Sequence, residues 1–187
     1  MIRPIARGFL RVAGWEPEGA RPVEERFVLI AAPHTSNWDL AFLLALAAHF
    51  DLSISWMGKH ALFRPPLGWL MRRVGGIPIV RHKRENMVQA MARAFEENER
   101  LALVVPAEGT RGYVAHWKSG FYHIARAANV PIVFGYLDYA RRRGGFGPAF
   151  LPTGDVTRDM DEIRDFYADK VGRYPEKFGE VRLKEEM

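Results

Sequence analysis

Short apolar runs alternate with amphipathic stretches along this chain, and that alternation sets the expected architecture. Residues 27–31, 52–57, 101–105 and 130–134 are apolar runs of strand length, as suits strands buried on both faces. Gly75-Gly76 marks a turn into another short strand, Ile77-Pro78-Ile79-Val80. Between the strands, helical spacing predicts helices over 37–50, 65–74, 84–98, from 117 onward and over 157–172. Their core-facing sets include Leu67, Leu70, Met71 and Val74, then Met87, Met91 and Phe95, then Phe121, Ile124 and Ala125, then Ile163, Phe166 and Tyr167. Pro66 suits the first turn of the second helix. Residues 14–23, with their Gly and Pro residues, read as a loop, and 144–151 as a loop with an edge strand. Strand and helix alternating in this way predict one α/β domain over residues 1–187, a central, mostly parallel sheet flanked by helices.

Residues 1–15 are expected as a basic amphipathic helix, with Arg3, Arg7 and Arg11 at four-residue intervals. Two roles are open to it. It packs on the domain as a surface helix, or it lies on an anionic bilayer, where each basic residue adds on the order of 1 kcal/mol. Trp15 would join the second arrangement as an interfacial anchor.

Composition narrows the function classes. At 48% hydrophobic and 26% charged residues, a chain of 187 residues can build a proper core and is not globally disordered. The absence of cysteine excludes a disulfide framework, thiolate metal sites and a cysteine nucleophile, and fits a reducing compartment. A formal charge of +5 points to an anionic partner: nucleic acid, acidic lipid, a phosphorylated metabolite or an acidic carrier protein. The apolar run 40–50 is far short of the roughly 20 residues a spanning helix needs. The N-terminus has no secretory-signal pattern.

The segment Pro33-His34-Thr35-Ser36-Asn37-Trp38-Asp39 brings chemistry to the end of the first apolar run. Positions five apart lie about 140° around a straight helix, so His34 and Asp39 meet only through a bend. Ser36 followed by Asp39 has the spacing of a capping box, which supplies such a bend and puts Asp39 in a helix's first turn. An ionised Asp facing a His fixes its tautomer and stabilises the imidazolium. On this segment alone the plainer interpretation holds equally: a first-turn acid and a loop histidine. His116 and His123 are read as ordinary loop and surface histidines.

A second segment, Glu108-Gly109-Thr110-Arg111, follows the strand at 101–105. Together with His34 and Asp39 it resembles the glycerolipid acyltransferase family, whose members carry His-x4-Asp and then Glu-Gly-Thr-Arg in this order. Ile77-Pro78-Ile79-Val80-Arg81 is similar to that family's second block, Val130-Pro131-Ile132-Val133 to its fourth, and Lys59 with Leu62 to its loop after the second strand. The family more often has Phe-Pro-Glu where this chain has Pro106-Ala107-Glu108. The resemblance spans roughly residues 34–133.

The resemblance implies an acyltransferase-like fold and transfer of a fatty acyl group from acyl-CoA or acyl carrier protein to a hydroxyl, in phospholipid biosynthesis. It implies His34 and Asp39 as catalytic residues, and Arg81, Glu108, Gly109, Thr110 and Arg111 as substrate-binding ones. It implies no metal and no cofactor beyond the acyl co-substrate. The expected acceptor is a lysophospholipid, 1-acylglycerol 3-phosphate first, with glycerol 3-phosphate or another alcohol as alternatives. The expected setting is cytoplasmic, peripherally attached to the inner face of the membrane, without a nucleic-acid partner. Two readings of other classes compete: a His/Asp hydrolase, and a non-catalytic basic module that binds membrane or nucleic acid. No His-Glu-x-x-His pattern supports the zinc version of the first, and no helix-turn-helix or zinc-finger pattern supports the second.

Overall fold

A computed structural model describes residues 2–79 and 84–187. Among the described residues seven strands form one sheet in the order β1-β7-β6-β2-β5-β3-β4, with β1 (Glu16–Gly19) at one edge. The central strands are β2 (Arg26–Ala32), β5 (Leu101–Pro106) and β6 (Ile132–Asp138), with β3 (Ile54–Lys59) and β4 (Gly76–Ile79) beyond β5. All neighbouring pairs are parallel except β6 with β7 (Arg143–Phe150). The mostly parallel α/β sheet expected from the sequence is therefore present.

Within the continuous apolar runs, successive residues serve opposite layers. Val28, Ile30 and Ala32 of β2 join Leu103 and Val105 of β5 on one face, packed by α4 (Arg84–Glu97), α5 (Gly120–Ala128) and α6 (Val156–Tyr167) through Phe95, Phe121 and Ile163. Phe27 and Leu29 join Ala102 and Val104 on the other, against α2 (Trp38–His49) and α3 (Gly68–Arg73). Both sheet faces are covered, as parallel strands require. α3 begins later than the 65–74 periodicity predicts, because residues 65–67 form a turn and Leu67 takes the N-cap position. The last helix ends at Tyr167, short of 172.

α1 (Ile2–Val12) lies on α2, burying Ala6 and Leu10 against Phe42 and Leu46 and leaving its three arginines exposed. The Arg3 Nε–H donates to the His49 carbonyl at 3.1 Å, a cation at the C-terminal end of α2 where the helix dipole favours one. Trp15 is buried and stacks on Phe42 with ring centres 4.2 Å apart. It is core, not the interfacial anchor that the bilayer alternative for residues 1–15 would use.

Two expectations fail at the sheet's far edge. Residues 14–23 are not simply a loop: Glu16–Gly19 is β1, parallel to β7. Residues 143–150 are consequently not an edge strand, because β1 covers them. The strand Glu-Pro-Glu-Gly carries no apolar pattern; it is held by backbone pairing and by Arg143, whose guanidinium lies 3.3 Å from Glu16 and 3.4 Å from Glu18. Its close approach depends on Gly145, where a Cβ would stand 1.8 Å from the Glu18 carbonyl oxygen.

Candidate active site

Strands β2, β5 and β3 run parallel, so their C-terminal ends open on the same side of the sheet, where α/β folds place their crevices. A cleft of about 570 Å³ lies there. His34, Asp39, Thr110 and Arg111 line its polar part, and Leu43, Trp56, Val104 and Phe146 its apolar part.

β2 stops at Ala32, and the loop after it carries His34 before α2 begins at Trp38. The bend predicted between His34 and Asp39 is made by Ser36. Its backbone N–H donates to Asp39 Oδ2 at 2.8 Å, and its hydroxyl accepts from the Trp38 N–H at 3.2 Å. Only one half of a capping box is thus formed, the half in which the acid reaches back. His34 Nδ1 then lies 3.3 Å from the same Asp39 Oδ2. The imidazole is partly exposed and the carboxylate almost wholly buried. With Nδ1 turned to Asp39, Nε2 is the ring nitrogen left for chemistry.

The other carboxylate oxygen, Oδ1, accepts the hydroxyl of Tyr139 at 2.7 Å. Sequence reading missed Tyr139, which follows β6 and lies 100 positions from Asp39. Burial, and then the bond to Asp39, push the Tyr139 hydroxyl far up from its ordinary range, so it stays a donor.

Glu108 lies elsewhere than expected. Its side chain is 1% exposed and accepts the His34 backbone N–H on Oε1 at 2.7 Å, while Oε2 has no partner among the described residues. Burial raises its pKa, against the opposing pull of the His34 N–H. A carboxyl so enclosed supports the histidine loop through that bond. The cause is the turn after β5: the Gly109 N–H donates to the Pro106 carbonyl at 3.1 Å and the Lys118 N–H to that of Ala107 at 2.7 Å. Gly109 takes φ +68°, a left-handed conformation that glycine adopts without strain, but its N–H is spent inside the turn. Thr110 and Arg111 emerge at the cleft's rim, exposed. Arg81 lies outside the described residues.

The remaining histidines behave differently from one another. His123 faces Glu185 at the surface, 3.7 Å away, whereas His116 has a buried Nδ1 with no partner among the described residues. Among the described residues no cluster of three or more His, Asp or Glu side chains is placed to hold a metal ion.

Comparison with solved structures finds the same fold in the crystal structure of the 1-acyl-sn-glycerophosphate (LPA) acyltransferase PlsC from Thermotoga maritima. The TM-score is 0.61 at 17% sequence identity, over 90% of this chain and 74% of that one. No match was found among curated proteins. The family model described as Acyltransferase matches residues 16–134, a segment that contains the His34 loop, Asp39 and the Glu108–Arg111 turn and ends in β6. With well over half of its length inside that match, the chain belongs to the acyltransferase family.

Proposed function

We propose that this acyltransferase moves a fatty acyl group from acyl-CoA or acyl carrier protein to the hydroxyl of a lysophospholipid, 1-acylglycerol 3-phosphate foremost. The observation that carries the reading is the single imidazole whose Nδ1 is turned to a fixed, buried carboxylate at the wall of a half-polar, half-apolar cleft. Nε2 of His34 takes the proton of the acceptor hydroxyl as its oxygen attacks the thioester carbonyl carbon. The C–O bond forms, the C–S bond breaks, and the imidazolium returns its proton to the departing thiolate. General-base assistance of this kind is typically worth about 10²–10⁴-fold. A thioester is already activated and the chain has no cysteine, so transfer is direct, without an acyl-enzyme.

Arg111 at the rim, with Arg81, binds the acceptor phosphate through the planar fork of a guanidinium, and Thr110 adds a hydroxyl beside it. Leu43, Trp56, Val104 and Phe146 receive the acyl chain. A lysophospholipid acceptor partitions into the bilayer, so it is met at a bilayer surface; among the described residues no helix is long and apolar enough to cross a membrane. Leu62, which lines the cleft, Leu67 and Trp69 are exposed at 48%, 58% and 67%, next to exposed Arg64, Arg72 and Arg73. Apolar groups beside cations suit an anionic interface, the inner face of the cytoplasmic membrane.

The testing experiment incubates purified protein with acyl-CoA or acylated carrier protein and a panel of acceptors that includes 1-acylglycerol 3-phosphate, glycerol 3-phosphate and neutral lysolipids. Diacylated phosphatidic acid identified by mass supports the reading. Acylation of only neutral acceptors overturns the phosphate assignment, and release of free fatty acid alone overturns acyl transfer in favour of hydrolysis.

A further inference from the structure

Asp39 receives three groups, and they come from different distances. Ser36 and His34 approach Oδ2 from within its own loop, at 2.8 and 3.3 Å. The third, the Tyr139 hydroxyl, reaches Oδ1 at 2.7 Å from the loop after β6. The Tyr139 ring has little freedom to withdraw. It meets the Trp15 ring edge-on at 4.9 Å and the Phe42 ring edge-on at 6.0 Å, and Trp15 and Phe42 are themselves stacked and buried. Phe42 stands on α2 three positions after Asp39, so one helix carries both the carboxylate and a wall of the tyrosine's slot.

We propose that Tyr139 is a positioning residue for acyl transfer: by holding Oδ1 it stops the Asp39 carboxylate from rotating and keeps Oδ2 aimed at His34 Nδ1. A carboxylate bonded on one oxygen only can turn about its Cβ–Cγ bond and share its charge with water. One bonded on both cannot, and the imidazole beside it keeps a single tautomer and orientation. The groups facing this arrangement are the Ser36 N–H, the Glu108 carboxyl below the His34 loop, and Arg173, whose guanidinium acts on the Tyr139 hydroxyl and lies 5.9 Å from the Trp38 ring. The Thr35 hydroxyl accepts the Tyr174 N–H at 3.2 Å, which fastens the Arg173 segment to the same loop.

The proposal rests on the acyl-transfer reading for its effect on rate, but not for its effect on the imidazole. Tyr139→Phe keeps the ring in its slot and removes only the hydroxyl. In the thioester-to-acceptor assay kcat is expected to fall on the order of tenfold with the acceptor KM within about twofold, the pattern of a lost transition-state contribution. In the nitrogen NMR spectrum of the His34 ring the signature of a single Nδ1–H tautomer is expected to give way to a mixture of tautomers, a readout that needs no substrate and therefore separates failure of this proposal from failure of the acyl-transfer reading. A folded Tyr139→Phe protein with wild-type kcat and an unchanged His34 tautomer signature overturns the proposal, as the hydroxyl would then serve only burial. In the wild-type protein the Tyr139 hydroxyl proton should be protected from solvent exchange, and rapid exchange would overturn the proposal even if the variant did not fold.

Discussion

The His34 backbone N–H donates to the Glu108 side chain at 2.7 Å, tying the loop that carries the imidazole to a turn 74 positions later in the chain. The two conserve each other's geometry without sharing chemistry: the bond uses the backbone of one and the enclosed side chain of the other.

Replacing Glu108 therefore tests support rather than substrate contact. Glu108→Ala leaves the part-buried His34 N–H unpaired, a loss of about 1 kcal/mol, and should lower both the melting temperature and kcat. Glu108→Gln keeps an acceptor oxygen and should retain most of the activity. Because burial raises the Glu108 pKa in the folded state, its contribution is present at low pH and is lost as pH rises from the ordinary carboxylate range through the raised value. The melting temperature of the wild type should therefore fall relative to Glu108→Gln as pH climbs through that window. A constant difference would show that the enclosed carboxyl does not titrate there.

Arg111 should act on the acceptor's phosphate. Arg111→Lys keeps the charge but loses the planar fork, so KM for a phosphorylated acceptor should rise about tenfold. The rise should be much smaller for a neutral acceptor, and an equal rise for both would remove the phosphate from this residue's role.

Trp15 and Trp69 should separate core from interface. Trp15→Ala empties a buried aromatic stack and should cost about 3 kcal/mol or more in stability. Trp69→Ala, at an exposed site, should leave the melting temperature nearly unchanged and weaken binding to vesicles containing anionic lipid severalfold. Cosedimentation that is equal for wild type and Trp69→Ala would move membrane contact away from α3.

The central strands, the helices between them and the meeting of His34 with Asp39 were legible in the sequence, because contiguous apolar runs, helical spacing and the Ser36–Asp39 separation are local signals. What escaped was non-local. β1 is a strand only because Gly145 lets its backbone come close, and no apolar pattern marks it. A charged residue beside Gly-Thr-Arg suggests exposure, yet the turn closed by Gly109 folds the Glu108 side chain inward. The basic surroundings of Trp15 leave packing and bilayer contact equally open, and the choice turns on Phe42, which takes its ring. Tyr139 gave no signal, since Asp39, which accepts its hydroxyl, lies 100 positions earlier.

The most direct test is His34→Ala assayed for acylated product by mass. Its ring is partly exposed in the cleft, and the bond to Glu108 uses its backbone, so the fold should survive the change. Turnover should drop by about 10²–10⁴-fold with the circular dichroism spectrum and melting temperature close to wild type. A folded His34→Ala protein that still forms product at a rate near wild type would contradict the account.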